Sequence, residues 1–282
     1  VAWTFYVNWK SRNLPKGPIK LPIIGNLHQV FGKNCVGVLH KLFTEYQKTY
    51  GKVFSFQLGS YPAVVLNDAK LIKEAWNNPM VTGRPHFILA SERCRDGVNR
   101  GIVFQDGNEW TEQRRFALRH LRDFGFGKNS MESLVMDEVI EFLGELKADS
   151  GKAISTRNRF NLAVINALWT ITAGQRFKHD DPQLVTIMEA ITRSVGESGS
   201  CGIVFFMPWI LKIWPTYPPW LRFKADLPHS YNFMQAFTGK SLANFDGSEI
   251  NNFTDAYIDE IKKTTDPKSS FYGKRGGTVV NS

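Results

Sequence analysis

The segment WTEQRRFALRHLRDFGFGK, residues 110–128, decides how the rest of this chain is read. Asp106 and Gly107 place a turn and a capping-capable aspartate before it, and Gly125 and Gly127 close it. The spacing therefore predicts one helix of about four turns. At roughly 100° per residue, Trp110, Arg114, Leu118 and Leu121 share a sector of about 80°. Arg115, Arg119 and Arg122 share a second sector of about 60°, rotated off the first. The three-arginine stripe is expected to face water, and Arg114 to sit on the face that carries tryptophan and leucine. A guanidinium cannot shed its proton to escape burial, so it needs an anion beside it. That anion is either a protein carboxylate or the acid group of a bound ligand.

Composition narrows the classes. The 282 residues are 43% apolar and 13% aromatic, which is ample for a large core and excludes disorder. A net charge of +9 calls for an acidic partner, an anionic membrane surface or nucleic acid. Nucleic acid is set aside, because the arginines form one short stripe without a reading motif. Cys35, Cys94 and Cys201 lie far apart with no C-x-x-C pair. Neither a disulfide scaffold nor a zinc site is indicated, and a reducing compartment is expected. No G-x-S-x-G, H-E-x-x-H or Walker loop occurs, and Gly125 and Gly127 follow a helix where a dinucleotide loop would follow a strand.

The W-x-x-x-R spacing of Trp110 and Arg114, flanked by GIVFQDGNEW (101–110) and LRDFGFGK (121–128), resembles the third helix of cytochrome P450 haem-thiolate monooxygenases. More narrowly it resembles their microsomal, family-2-like branch, which acts on drugs and steroids. The resemblance implies that Trp110 and Arg114 bind a haem propionate, which is one of the two anions left open above. Arg84, in TGRP, matches a second propionate-binding position; on its own residues it reads as a surface arginine before a proline. Val103 and Phe104 match positions that face substrate, and by themselves read as a core dipeptide before a turn. Arg115, Arg119, Arg122 and Lys128 would dock the acidic surface of an NADPH-dependent flavoprotein reductase. Without the family they are equally a solvated helix face.

Taken in order, the chain opens on the apolar VAWTFYVNW, followed by Lys10, Arg12 and Lys16. Residues 1–13 are expected to be the remnant of an N-terminal membrane anchor or, equally, a frayed apolar terminus. In the anchor reading the basic flank places the body on the cytoplasmic face, and the resemblance implies the endoplasmic reticulum membrane. Residues 14–30 hold Pro15, Pro18 and Pro22 and read as a stiff extended hinge, with Lys16 where the family's hinge usually has a second proline. Residues 31–273 form the N-terminal part of a single P450-type domain, and 274–282 an atypical tail.

Within that domain Leu39–Tyr50 recurs at helical spacing. Phe54, Phe56 and Leu58 alternate with Ser55 and Gln57 before a four-residue GSYP turn, which predicts a hairpin. Asn67 or Asp68 caps the next helix. Asn129 with Glu132 reads as a capping box for a helix over 130–147, striped by Val135, Val139, Phe142 and Leu146. Residues 160–177 are apolar nearly all round, so burial on most sides is expected. Pro182 starts a further helix before Leu184, Ile187, Met188 and Ile191. Residues 203–223 crowd Phe205, Phe206, Trp209, Trp214, Tyr217 and Trp220 among four prolines, which forbid a spanning helix. Such a loop either dips into the membrane interface or packs on its own domain. The fold class is mainly α with a small antiparallel β-sheet. It is an incomplete cytochrome P450 fold, lacking the central helix and the haem-thiolate region.

A haem-thiolate oxygenase needs an axial cysteine that pushes electron density onto iron. No F-x-x-G-x-x-x-C-x-G occurs; the C-x-G at Cys35 has the wrong phenylalanine and glycine offsets. The resemblance covers residues 1 to about 273 and slightly more than the first half of a complete member. The expected function is therefore the N-terminal portion of a haem-dependent monooxygenase oxidising lipophilic small molecules, with the ligating cysteine outside this chain. The alternative is a catalytically inactive partial product without bound haem.

Overall fold

The computed structural model describes residues 13–30, 39–94, 97–155, 159–178 and 201–272, with scattered positions between 181 and 192. The anchor stretch, Cys35, Leu184, Ile187, Ile191 and the tail lie outside the described residues. In chain order the elements are α1 (Leu27–Val30), α2 (Leu39–Tyr50), β1 (Val53–Leu58), β2 (Tyr61–Leu66), α3 (Ala69–Trp76) and α4 (Ile88–Ser91). There follow α5 (Gly107–Asp123), α6 (Asn129–Ala148), α7 (Arg159–Ala173), α8 (Gly202–Phe206), α9 (Ile210–Ile213), α10 (Pro218–Asn244) and α11 (Phe253–Lys263). The fold is mainly helical with one two-stranded antiparallel sheet, as the sequence reading expects. The chain divides into two compact units, residues 1–83 with 198–221 and residues 84–197 with 222–282.

In the first unit β1 pairs with β2 from Val53 opposite Leu66 to Leu58 opposite Tyr61. The loop is two residues, Gly59-Ser60, and not the four expected. Gly59, at a φ of 56°, reverses the chain at once, so Tyr61 and Pro62 belong to the strand. Pro62 is tolerated because it lies opposite Gln57, whose own N–H donates away from the ladder to Asn26 Oδ1 at 2.9 Å. Residues of the proline-rich hinge bond to β1. Asn26 N–H donates to the Gln57 carbonyl at 2.7 Å and Ser55 N–H to the Lys16 carbonyl at 3.1 Å. An open strand edge exposes unpaired amides, and residues 16–26 supply their partners.

Phe54 and Phe56 are fully buried. Phe43 of α2 meets both edge-on, at ring-centroid distances of 5.9 and 5.5 Å. Asp68, not Asn67, caps α3, accepting from the amides of Lys70 and Leu71. Asn67 instead donates to Gln47 Oε1 at 2.8 Å, pinning α2. Prolines break the aromatic segment into α8 and α9; Val204 and the following Met207 are buried, while Ile213 and the following Trp214 are exposed. Among the described residues no helix is long and apolar enough to cross a membrane.

The second unit corrects three expectations. Asn129 does not cap α6: Lys128 holds the cap position and makes no side-chain bond there. The buried residues of α6 are Glu138 and Phe142, whereas Val135 of the expected stripe is exposed. Glu138 turns inward because Arg176 binds both it and Glu141, while Asn166 of α7 donates to its other oxygen at 3.2 Å. Helix α7 buries Asn166, Ala167 and Ile171 but exposes Phe160, Val164 and Leu168, so it is not covered on most sides. Phe142 packs on Phe160 at 4.8 Å, and Trp169 packs on Phe233 and Phe237 of α10.

Candidate functional site

Helix α5 forms where the turn and glycine signals place it. Asp106 sits extended at its N-cap, and Gly125, at a φ of 101°, follows its last turn. The Asp106 side chain makes no cap bond; it accepts from the Arg84 backbone N–H at 3.4 Å, which ties the Arg84 loop to the start of α5.

The buried face of α5 is not the one expected. Ala117 is buried and Gln113, Phe116 and His120 are half-buried, a sector rotated by roughly 110° from the Trp110–Leu118 sector. The reason is long-range. Phe116 packs on Phe253, Tyr257 and Phe271 with centroids 5.7, 5.6 and 5.0 Å away. Gln113 Nε2 donates to Ser270 Oγ at 2.8 Å, and Tyr257 donates its hydroxyl to Gln113 Oε1 at 3.1 Å. Glu112 accepts from the Ser269 hydroxyl at 2.7 Å and the Ser270 amide at 2.6 Å. No periodicity within α5 carries this polar clasp, so the sequence reading missed Glu112, Gln113 and Tyr257.

Arg114 is consequently exposed, not enclosed, and Leu118 is 50% exposed. Its guanidinium carbon lies 5.4 Å from the Trp110 ring centroid, in cation–π range. Trp110 is half-buried and donates its indole N–H to the Ile102 carbonyl at 3.0 Å. Among the described residues no carboxylate pairs with Arg114. The cradle thus offers an acid group one stacked, available guanidinium, while the indole N–H is already satisfied. That donor set fits a propionate bound through arginine. Arg115, Arg119, Arg122 and Lys128 are all exposed, with no ion pair to a described residue.

Behind α5 lies a cavity of about 350 Å³. Its wall includes Ile102, Gln113, Ala117, Met234, Phe253 and Tyr257. Val103 and Phe104 are not on that wall: Val103 is 62% exposed in a turn and Phe104 half-buried. Among the described residues no cluster of three or more His, Cys, Asp or Glu side chains could hold a metal ion. Cys201 is buried and Cys94 half-buried.

The family profile described as Cytochrome P450 matches residues 15–272. This chain belongs to the cytochrome P450 family. Its P450 relatives include cytochrome P450 2J2 of Homo sapiens, 31% identical over 290 residues. Cytochrome P450 2C7 and 2D10 of Rattus norvegicus are each 30% identical. These alignments cover 96%, 93% and 96% of this P450 chain but 53%, 53% and 54% of the relatives. The chain spans about half the length of the curated P450s it matches. The incomplete P450 fold expected from the sequence agrees with that coverage.

Proposed function

We propose that this chain is the N-terminal portion of a membrane-anchored, haem-dependent monooxygenase. The complete protein inserts one oxygen atom from O2 into a lipophilic small molecule, at the cytoplasmic face of the endoplasmic reticulum membrane. Electrons come from an NADPH-dependent flavoprotein reductase. The observation that carries this reading is Arg114, a guanidinium stacked on Trp110 with no carboxylate partner among the described residues. A cation so held binds an external carboxylate without first breaking an internal ion pair. Arg114 and Arg84 would hold the haem propionates, with Trp110 fixing the guanidinium plane. Haem, when bound, supplies the oxygen-activating iron, whose thiolate ligand we place outside these residues. Val103 and Phe104 would contact substrate. Arg115, Arg119, Arg122 and Lys128 would steer the reductase's acidic surface and set its docking orientation.

A second reading has its own support. Met136, Ile140 and Leu143 form an exposed apolar stripe on α6, and the sequence contains no F-x-x-G-x-x-x-C-x-G. On this reading the 282 residues by themselves are inactive, and the stripe promotes aggregation or chaperone capture.

Haemin titration separates the claims. The purified chain should show saturable quenching of tryptophan fluorescence that Arg114→Leu weakens several-fold. Unchanged quenching in that variant would remove the propionate cradle. A thiolate-type Soret band on reduction under carbon monoxide would overturn the inactive reading, and none is expected.

A further inference from the structure

We propose that this chain carries a second small-molecule site, selective for an organic ammonium group borne on an apolar body. It lies in the cavity between the C-terminal half of α10, the end of α7 and the loop over residues 245–252. The cavity measures about 460 Å³, within the range of pockets that take small organic ligands. It shares no lining residue with the cavity behind α5. The two use different faces of α10: at roughly 100° per residue, Phe233, Phe237 and Asn244 fall within about 40°, and Met234 and Thr238 fall outside that sector.

One wall is aromatic. Phe177, Phe233 and Phe237 line it, backed by Trp169 at centroid distances of 5.7, 5.5 and 4.9 Å. The Trp169 indole N–H is buried and has no hydrogen-bond partner among the described residues. Another part of the lining is acidic. Asp246, Glu249 and Asp255 line it with one lysine, Lys240, while Lys262 from α11 lies near enough to act on Asp246. The Ser248 hydroxyl and amide donate to Asp246 at 2.7 and 2.8 Å, holding its carboxyl below the usual range and ionised at neutral pH. Glu249 is exposed and makes no ion pair with a described residue.

One lining residue, Phe245, already holds an ammonium against its ring and carbonyl. Lys262 Nζ donates to the Phe245 carbonyl at 2.9 Å and lies 4.8 Å from the Phe245 ring centroid. A cation on an apolar body gains from both the ring faces and the lining carboxylates. An anion is repelled by those carboxylates, and a neutral body of the same shape gains only contact area. The cavity behind α5, with a single arginine balanced by a single glutamate, offers no such preference.

The test uses the full chain without haemin, so its outcome is independent of the cradle at Arg114. Benzyltriethylammonium, phenylacetate and benzyl alcohol are titrated by calorimetry. The ammonium probe should bind with a Kd roughly tenfold below the other two. That Kd should rise several-fold from about 50 mM to about 500 mM salt. Phe237→Leu, and the pair Asp246→Asn with Glu249→Gln, should each weaken it several-fold. Glu249→Gln alone alters an exposed side chain and serves as the variant whose folding is not in question. Equal binding of the three probes, no saturable binding, or a Kd untouched by the carboxylate changes would overturn the site.

Discussion

Trp110 is held from two sides, by the Ile102 carbonyl at 3.0 Å on its N–H and by the Arg114 guanidinium 5.4 Å from its ring. The indole therefore fastens the loop before α5 to the helix while presenting the arginine outward. Trp110→Phe keeps a ring under the guanidinium but deletes the N–H donor. It should lower stability by about 1 kcal/mol, the net worth of one hydrogen bond. Urea unfolding checks this. A loss of several kcal/mol would show that the indole also packs in a way its half-burial does not account for.

Glu138 is 3% exposed and bound by Arg176 and Asn166. Arg176→Leu strips a buried carboxylate of its cation and should destabilise the fold by about 3 kcal/mol. Adding Glu138→Leu removes the buried charge as well, so the double variant should recover much of that loss. Equilibrium denaturation of the four proteins in the cycle tests it. Simple additivity would mean the pair is not coupled.

The clasp behind α5 predicts a local effect. Gln113→Leu breaks the bonds to Ser270 and Tyr257 and should reduce amide protection across residues 266–272. Global stability should fall by about 1–2 kcal/mol. Hydrogen exchange resolved by residue distinguishes this from uniform loosening, which would contradict the clasp.

Asp68 supplies a pH dependence. The Lys52 ammonium, bonded to it, and the Leu71 and Lys70 amides hold its carboxyl below the ordinary range. A depressed folded-state pKa adds stability above the unfolded value of about 3.9, and that stability is lost as pH falls through the folded value. Wild type should therefore melt above Asp68→Asn at neutral pH, and the gap should close as pH drops below about 4. Thermal melts across pH check the trend; a gap that widens toward acid would reverse the sign.

The extent of α5, the hairpin and the cap of α3 were legible because each rests on contacts within a few residues. Gly125 ends α5 by its own backbone freedom, and Asp68 caps α3 through amides two and three residues on. The candidate site was legible as residue identities: Trp110, Arg114 and the arginine stripe follow from 3.6-residue periodicity and the family resemblance. Its orientation was not. Periodicity gives the angle between two side chains on one helix, and says nothing of which sector another element covers.

By itself the sequence determined α2, α3, α5, α6, α7 and the hairpin of this P450 chain, the spacing that stacks Arg114 on Trp110, and the family. Only the tertiary structure decided that Gln113 and Phe116, not Arg114, face inward. Their partners Ser270 and Phe271 lie some 157 residues along the chain, and folding alone brings them to α5. The same holds for Glu138, turned inward by Arg176 across 38 residues. Burial is a property of pairs of elements, and no single element's pattern contains its partner.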